Sequence, residues 1–309
     1  MQNKVTIIGA GMVGSTLAYS LVIQDIAEEI AIIDIDQKLA QAQVMDLQHA
    51  APFTRHTNIK VGTYQDCADS SVVVVTCGSA QKPGETRLDL INKNTKIIRE
   101  VVPQIFNANP QAVILMITNP VDVLTYVAIS MFPKKKNQII GSGTTLDSAR
   151  FRHLLSQKLN INTQSIHAYI MGEHGDSEFP VWSTATVGNN HIDTYKTLSE
   201  KDKLAIFEKA KNAAYAIIAG KQSTYYGIGS AGASIIQSIL HDKRTVLPVS
   251  HLIENVYGVS KVCLSTPVIV GRKGLVGELP LQLSKTEKAS FIKSAQVLKK
   301  AIASVIKVK

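Results

Sequence analysis

Apolar, β-branched runs alternate with amphipathic stretches along the first half of the chain. Runs at 4–10, 30–34, 59–64, 72–77, 112–119 and 138–141 read as strands, with helical periodicity between most of them. Val72, Val73, Val74 and Val75 form an unbroken apolar run with no polar face, which calls for cover on both sides. The pattern predicts an α/β protein, a doubly wound parallel sheet with helices on both faces. Past Gly143 the rhythm changes. Helices are expected over 144–159, 199–219 and 223–240 and from 284 onward, with short strands at 166–171 and 245–249, which together read as an α+β domain. The chain thus divides into residues 1–143, a dinucleotide-binding domain, and 144–309, a substrate and catalytic domain. A cleft between two such domains is a natural seat for a small substrate.

Composition narrows the function classes. A chain of 309 residues, 45% hydrophobic, can bury full cores without staples. The net charge of +9 is spread along the chain, and its densest run, Lys134-Lys135-Lys136, has no aromatic interleaving. That points away from nucleic acid and toward small anionic ligands. Cys67, Cys77 and Cys263 are far apart and form no C-x-x-C pair, so neither a disulfide framework nor a thiolate metal site is expected. The first apolar run is too short to span a bilayer and lacks a secretory layout, which predicts a cytoplasmic protein without membrane attachment.

The first strand runs directly into Gly9-Ala10-Gly11-Met12-Val13-Gly14, a G-x-G-x-x-G pattern that opens a helix. Gly9 permits the tight turn, Gly11 lets a pyrophosphate approach the backbone, and Gly14 lets helix and strand pack closely. The amides of Met12 and Val13 fall at the helix start, where negative charge is favoured. Asp34 follows Gly14 by 20 residues at the end of the second strand. A carboxylate there accepts ribose hydroxyls and repels a 2′-phosphate, so this Rossmann signature favours NAD over NADP.

Four further segments carry polar residues where strands end or helices begin: QKPGETRLDL at 81–90, TNPVD at 118–122, TLDSARFR at 145–152 and GEHGDS at 172–177. In combination they resemble the L-lactate and malate dehydrogenase family over nearly the whole chain, most loosely beyond Thr266. Reducing a 2-oxo acid needs a hydride donor, a proton donor, a cation for the carboxylate and stabilisation of the growing charge on the ketone oxygen. His174 suits proton transfer, because the imidazole reference pKa lies near neutrality. Asp147 could orient its ring, and Arg150, three residues on, could grip a carboxylate with two parallel hydrogen bonds. An ordinary helical ion pair between Asp147 and Arg150 is the competing reading.

The resemblance implies that Arg87 polarises the substrate carbonyl from a lid over 80–87, that Asn119 contacts substrate and cofactor, and that Thr224 lines the pocket. A strand-end cap for Asn119 and a helix cap for Thr224 compete with these roles. Gln81 stands where malate enzymes of the family carry arginine, so a second carboxylate would be buried unpaired; pyruvate is favoured, with branched 2-oxo acids as the alternative. Ala213 and Ala214 fall where the family keeps this pocket. Arg152 lies on the far side of the helix from Arg150, and with His167 it matches the basic pair by which bacterial members hold fructose 1,6-bisphosphate between subunits of a homotetramer. Rival readings are an NAD-dependent glycosidase, which would need a metal held by cysteine and histidine, and a non-catalytic structural protein on the same scaffold. No metal is expected.

Overall fold

A computed structural model describes residues 3–54, 57–79 and 86–306; the side chains of Arg87 and Ile306 lie outside it. The first half supplies β1 (Lys4–Ile8), α1 (Met12–Ile23), β2 (Glu29–Ile33), α2 (Gln37–Ala50), β3 (Asn58–Val61), β4 (Val72–Val75), α3 (Arg87–Ala108), β5 (Val113–Met116), α4 (Val121–Met131) and β6 (Ile139–Gly141). The second half continues with α5 (Thr145–Leu159), β7 (Ile166–Met171), β8 (Phe179–Val187), β9 (Asn190–His191), α6 (Glu200–Lys221) and α7 (Tyr226–Leu240). It ends with β10 (Thr245–Ile253), β11 (Val262–Gly271), β12 (Gly274–Glu278) and α8 (Lys285–Ile306).

Strands β1 to β6 are parallel, and β1 lies between β2 and β4, with Val5 opposite both Ile30 and Val72. The chain winds outward in both directions from that point, so a crevice opens beyond the carboxyl end of β1. The valine run shows how the sheet is covered. Val72 and Val74 face the layer of α1, α2 and α7, and Val73 and Val75 face that of α3 and α4.

Four strands that the sequence pattern does not announce complete the picture: β8, the two-residue β9, β11 and β12. The strand expected at 245–249 runs on to Ile253 and joins the first sheet, antiparallel to β6, with Ser250 opposite Gly141. Among the described residues the sheet order is β12-β11-β10-β6-β5-β4-β1-β2-β3, so both halves of the chain build one nine-stranded sheet. Strands β7, β8 and β9 form a separate three-stranded sheet, which packs with α5 and α6 around Phe151, Leu155, Ile170 and Ala210.

Helix starts follow side-chain chemistry. Thr86 and Asp89 form a reciprocal capping box at α3, Ser199 and Asp202 form another at α6, and Asp36 caps α2. No helix among the described residues is long and apolar enough to cross a membrane.

Candidate active site

Strands expected at 4–10, 72–77 and 112–119 end two or three residues earlier, and their trailing residues become the loops that carry the site. Gly9 turns the chain at φ +114°, where a Cβ would lie 2.6 Å from the Cys77 nitrogen. A Cβ on Gly14 would meet the Gly9 carbonyl oxygen at 1.9 Å, so the helix and the strand end can approach only as glycines. At Gly11 nothing lies within 4 Å of that position. Gly11 is also the N-cap of α1 and offers no side-chain acceptor, which leaves the first-turn amides, Met12 and Val13 among them, for a ligand. Met12 is exposed, whereas the Val13 side chain packs against the core, so Val13 offers only its backbone.

Asp34 ties this loop to the end of β2: its Oδ2 accepts the Ala10 N–H at 2.6 Å and its Oδ1 accepts that of Asp36 at 2.9 Å. A groove of about 940 Å³ runs from Gly9 and Gly11 past Asp34, walled by Ile35, Tyr64, Ile97 and Val101. Open space at Gly11, an uncapped helix terminus and a carboxylate at the groove suit a dinucleotide. The apolar wall, fully exposed Ile35 included, is a part of the site that the glycine spacing does not reveal.

On the substrate side, His174 Nδ1 and Asp147 Oδ2 are 2.6 Å apart, and Asp147 Oδ1 accepts a hydrogen bond from Arg150 at 2.8 Å. The helical ion pair and the histidine partnership therefore coexist on the two oxygens of one carboxylate. Burial works against the charge on Asp147, but the positive charges and hydrogen bonds of His174 and Arg150 outweigh it and lower its pKa. The charge of Asp147 chiefly raises the His174 pKa to about 9; burial opposes this, and the Asp147 hydrogen bond, Asp122 and Glu178 add to it. At neutral pH His174 accordingly holds a proton, as a proton donor must. The His174 backbone N–H donates to Asp122 Oδ2 at 2.8 Å, which anchors the loop to α4, and the side chain keeps 27% exposure.

A cleft of about 270 Å³ beside His174 is lined by Leu90, Asn119, Pro120, Gly175, Asp176 and Tyr215. Asn94 Nδ2 donates to the Asn119 carbonyl at 2.7 Å, and this fixes the backbone of the TNPVD turn. Tyr215 reaches over from α6 to donate to Asp176 Oδ1 at 2.8 Å; Tyr215 lies outside the sequence motifs, and Asp176 belongs to GEHGDS without a role assigned there. Thr224 sits in the break between α6 and α7 and is not part of the described cleft wall. Nor does it cap α7, whose N-cap is Tyr225. Arg87 opens α3, but its side chain, Gln81 and residues 80–85 of the expected lid lie outside the described residues.

Arg152 turns away from this centre toward β7. Its guanidinium donates to the Ala168 carbonyl at 3.5 Å, one residue beyond exposed His167. Among the described residues the side chains grouped as in a metal site are Asp147, His174 and Glu178, with no cysteine among them. The Asp147 oxygens are already engaged by Arg150 and His174. That arrangement suits proton transfer, and the group lacks the cysteine ligand the glycosidase reading needs.

Fold and chemistry meet in one class of protein, the NAD-dependent dehydrogenases. Residues 3–141 match the family model described as lactate/malate dehydrogenase, NAD binding domain, and residues 144–309 match its alpha/beta C-terminal domain. The second match includes the stretch beyond Thr266, where the resemblance of motifs was loosest. The chain is 43% identical to an L-lactate dehydrogenase of Clostridium botulinum over 305 residues, 97% of this chain and 96% of that protein. It is also 43% identical to L-lactate dehydrogenase 2 of Bacillus cereus over 98% of each chain. Among solved structures, the minor L-lactate dehydrogenase of Enterococcus mundtii superposes with a TM-score of 0.96 at 38% identity, covering 98% of each chain. The chain belongs to the lactate/malate dehydrogenase family and is an oxidoreductase that uses NAD.

Proposed function

We propose that the protein catalyses NAD-dependent, reversible interconversion of pyruvate and L-lactate, with residues 1–143 serving the cofactor and 144–309 the substrate. One observation carries this reading: a single buried carboxylate, Asp147, engages both the proton donor His174 and the carboxylate-binding cation Arg150. Gly9, Gly11, Met12, Val13, Gly14, Asp34 and Asn119 would hold NADH, which when bound would supply the hydride for the substrate C2. Arg150 grips the substrate carboxylate through its planar fork. As charge grows on the ketone oxygen, His174 gives up its proton to it and Asp147 steadies the imidazolium beforehand. Arg87 and Asn119 assist at that oxygen, Thr224 borders the substrate region, and in lactate oxidation the same imidazole, now neutral, takes the hydroxyl proton.

Neutral Gln81, where malate enzymes of the family carry arginine, favours a monocarboxylate, since a second carboxylate would have no cation there. The test is NADH oxidation with pyruvate, oxaloacetate and 2-oxoisocaproate in parallel. Pyruvate is expected to give the highest kcat/KM. A larger value for 2-oxoisocaproate would reassign the enzyme to branched 2-oxo acids, and no turnover with any acid would leave only the non-catalytic reading.

The protein is further proposed to act in the cytoplasm as a homotetramer activated by fructose 1,6-bisphosphate. Arg152 supports this: burial lowers its pKa, and the bond it makes is a long one to a backbone carbonyl. A half-buried guanidinium beside an exposed histidine is a suitable phosphate cradle, and two such pairs across a twofold axis would span a bisphosphate. Millimolar activator is expected to lower the half-saturating pyruvate concentration by about fivefold or more. Arg152→Ala and His167→Ala should abolish that response while sparing the activity without activator. Superimposable wild-type titrations with and without activator would remove the regulatory reading.

A further inference from the structure

Glu178 follows the catalytic loop and directly precedes β8. It is 6% exposed, and its Oε1 has no hydrogen-bond partner. One of its oxygens, one carboxylate oxygen of Asp147 and one ring nitrogen of His174 all lie within 4.8 Å of one another. Charge is costly on a carboxyl so enclosed, and an unpaired buried oxygen contributes nothing to folding. The groups facing it are Asp147 and Arg150 from α5, His174 from its own loop and Lys211 from α6, with Asp122 of α4 acting on His174 as well.

We propose that Glu178 is a second carboxyl acting on the His174 proton, neutral at physiological pH and ionised on the alkaline side, where its charge keeps His174 protonated and extends pyruvate reduction to higher pH. It acts through His174 and is therefore a positioning residue. Burial and the neighbouring Asp147 charge push the Glu178 carboxyl up to about 8, against the pull of His174, Arg150 and Lys211. Its proton leaves to solvent on the alkaline side, the same side on which His174, its pKa also raised, would lose its own. A second anion then appears when the imidazolium most needs one, and opposite charge favours the protonated ring. At lower pH Glu178 carries no charge, so its removal should matter little.

This inference rests on the reading of His174 as the acid and base, and two measurements separate the two. The first is the pH dependence of kcat/KM for pyruvate from pH 6 to 10 in the wild type, Glu178→Gln and Glu178→Asp. Glu178→Gln is expected to stay within about twofold of wild type at pH 6.5 and to lose its alkaline limb about one pH unit earlier, and Glu178→Asp should restore part of that range. The second is an NMR titration of the His174 imidazole in the cofactor-free protein, with Glu178→Gln and Glu178→Met as two differently shaped neutral variants. The midpoint should fall in both. Equal midpoints in wild type and either folded variant, or an activity loss uniform across pH, would overturn the proposal. Failure of wild-type turnover with pyruvate would count against the substrate assignment, while the imidazole titration would still decide the role of Glu178.

Discussion

His174→Ala is expected to lower kcat for pyruvate by at least about a hundredfold, the usual contribution of a positioned acid or base. The loss should fall on the chemical step. His174 keeps 27% exposure toward a cleft that is separate from the glycine loop and Asp34, so NADH affinity should stay within a small factor of wild type. Pyruvate binding should weaken too, because the imidazolium held protonated by Asp147 also attracts an anionic substrate. Stopped-flow measurement of NADH binding and of a single turnover checks both halves of this expectation. Near-normal turnover in the variant would take the imidazole out of the mechanism.

Arg150→Lys is expected to reduce kcat/KM for pyruvate roughly 30- to 160-fold, mostly through KM. Lysine keeps the positive charge but forfeits one of two charge-assisted hydrogen bonds, at about 2–3 kcal/mol when the partner carboxylate is desolvated. The contact of Arg150 with Asp147 at 2.8 Å makes the conservative substitution the informative one. A cation at this position still supports the Asp147 charge, so the His174 proton affinity, and with it the pH profile, should change little. Unchanged KM and kcat would reduce Arg150 to the helical ion pair that its spacing alone suggests.

The parallel half of the fold is legible in the chain because strands covered on both faces must be apolar throughout, as Val72 to Val75 are. The glycine loop, Asp34 and the three-residue step from Asp147 to Arg150 are legible for a similar reason: the chemistry is local in sequence. The unannounced strands hide behind tertiary demands. In β11, Ser265, Thr266 and Pro267 interrupt the apolar run, but the buried Ser265 Oγ accepts the Thr144 N–H at 3.0 Å, and Pro267 lies opposite Pro248 of β10. In β8, Pro180 and polar Ser183, Thr184 and Thr186 blur the alternation that would mark a strand.

The pairings that build the site are hidden because the partners are far apart along the chain, even where one of them belongs to a motif. Asp122 meets the His174 backbone across 52 positions, and Tyr215 meets Asp176 across 39. Glu178 looks like a surface carboxylate next to Phe179 until the packing of α5 and α6 encloses it. Thr224 shows the opposite case, a residue that the family resemblance places in the pocket and that is not part of the described cleft wall.

The antiparallel strands from the second half also bear on how this protein could be divided. A chain ended at Gly141 would lose β10, leaving β6 as a naked edge beside β5. It would also lose α7, whose Ala233, Ile235, Ile236 and Ile239 roof the same apolar layer as α1. An open parallel edge together with an unroofed face is a template for self-association. The cofactor half is thus no detachable cassette: grafting it onto another catalyst would mean transplanting its far-end strands and helix as well.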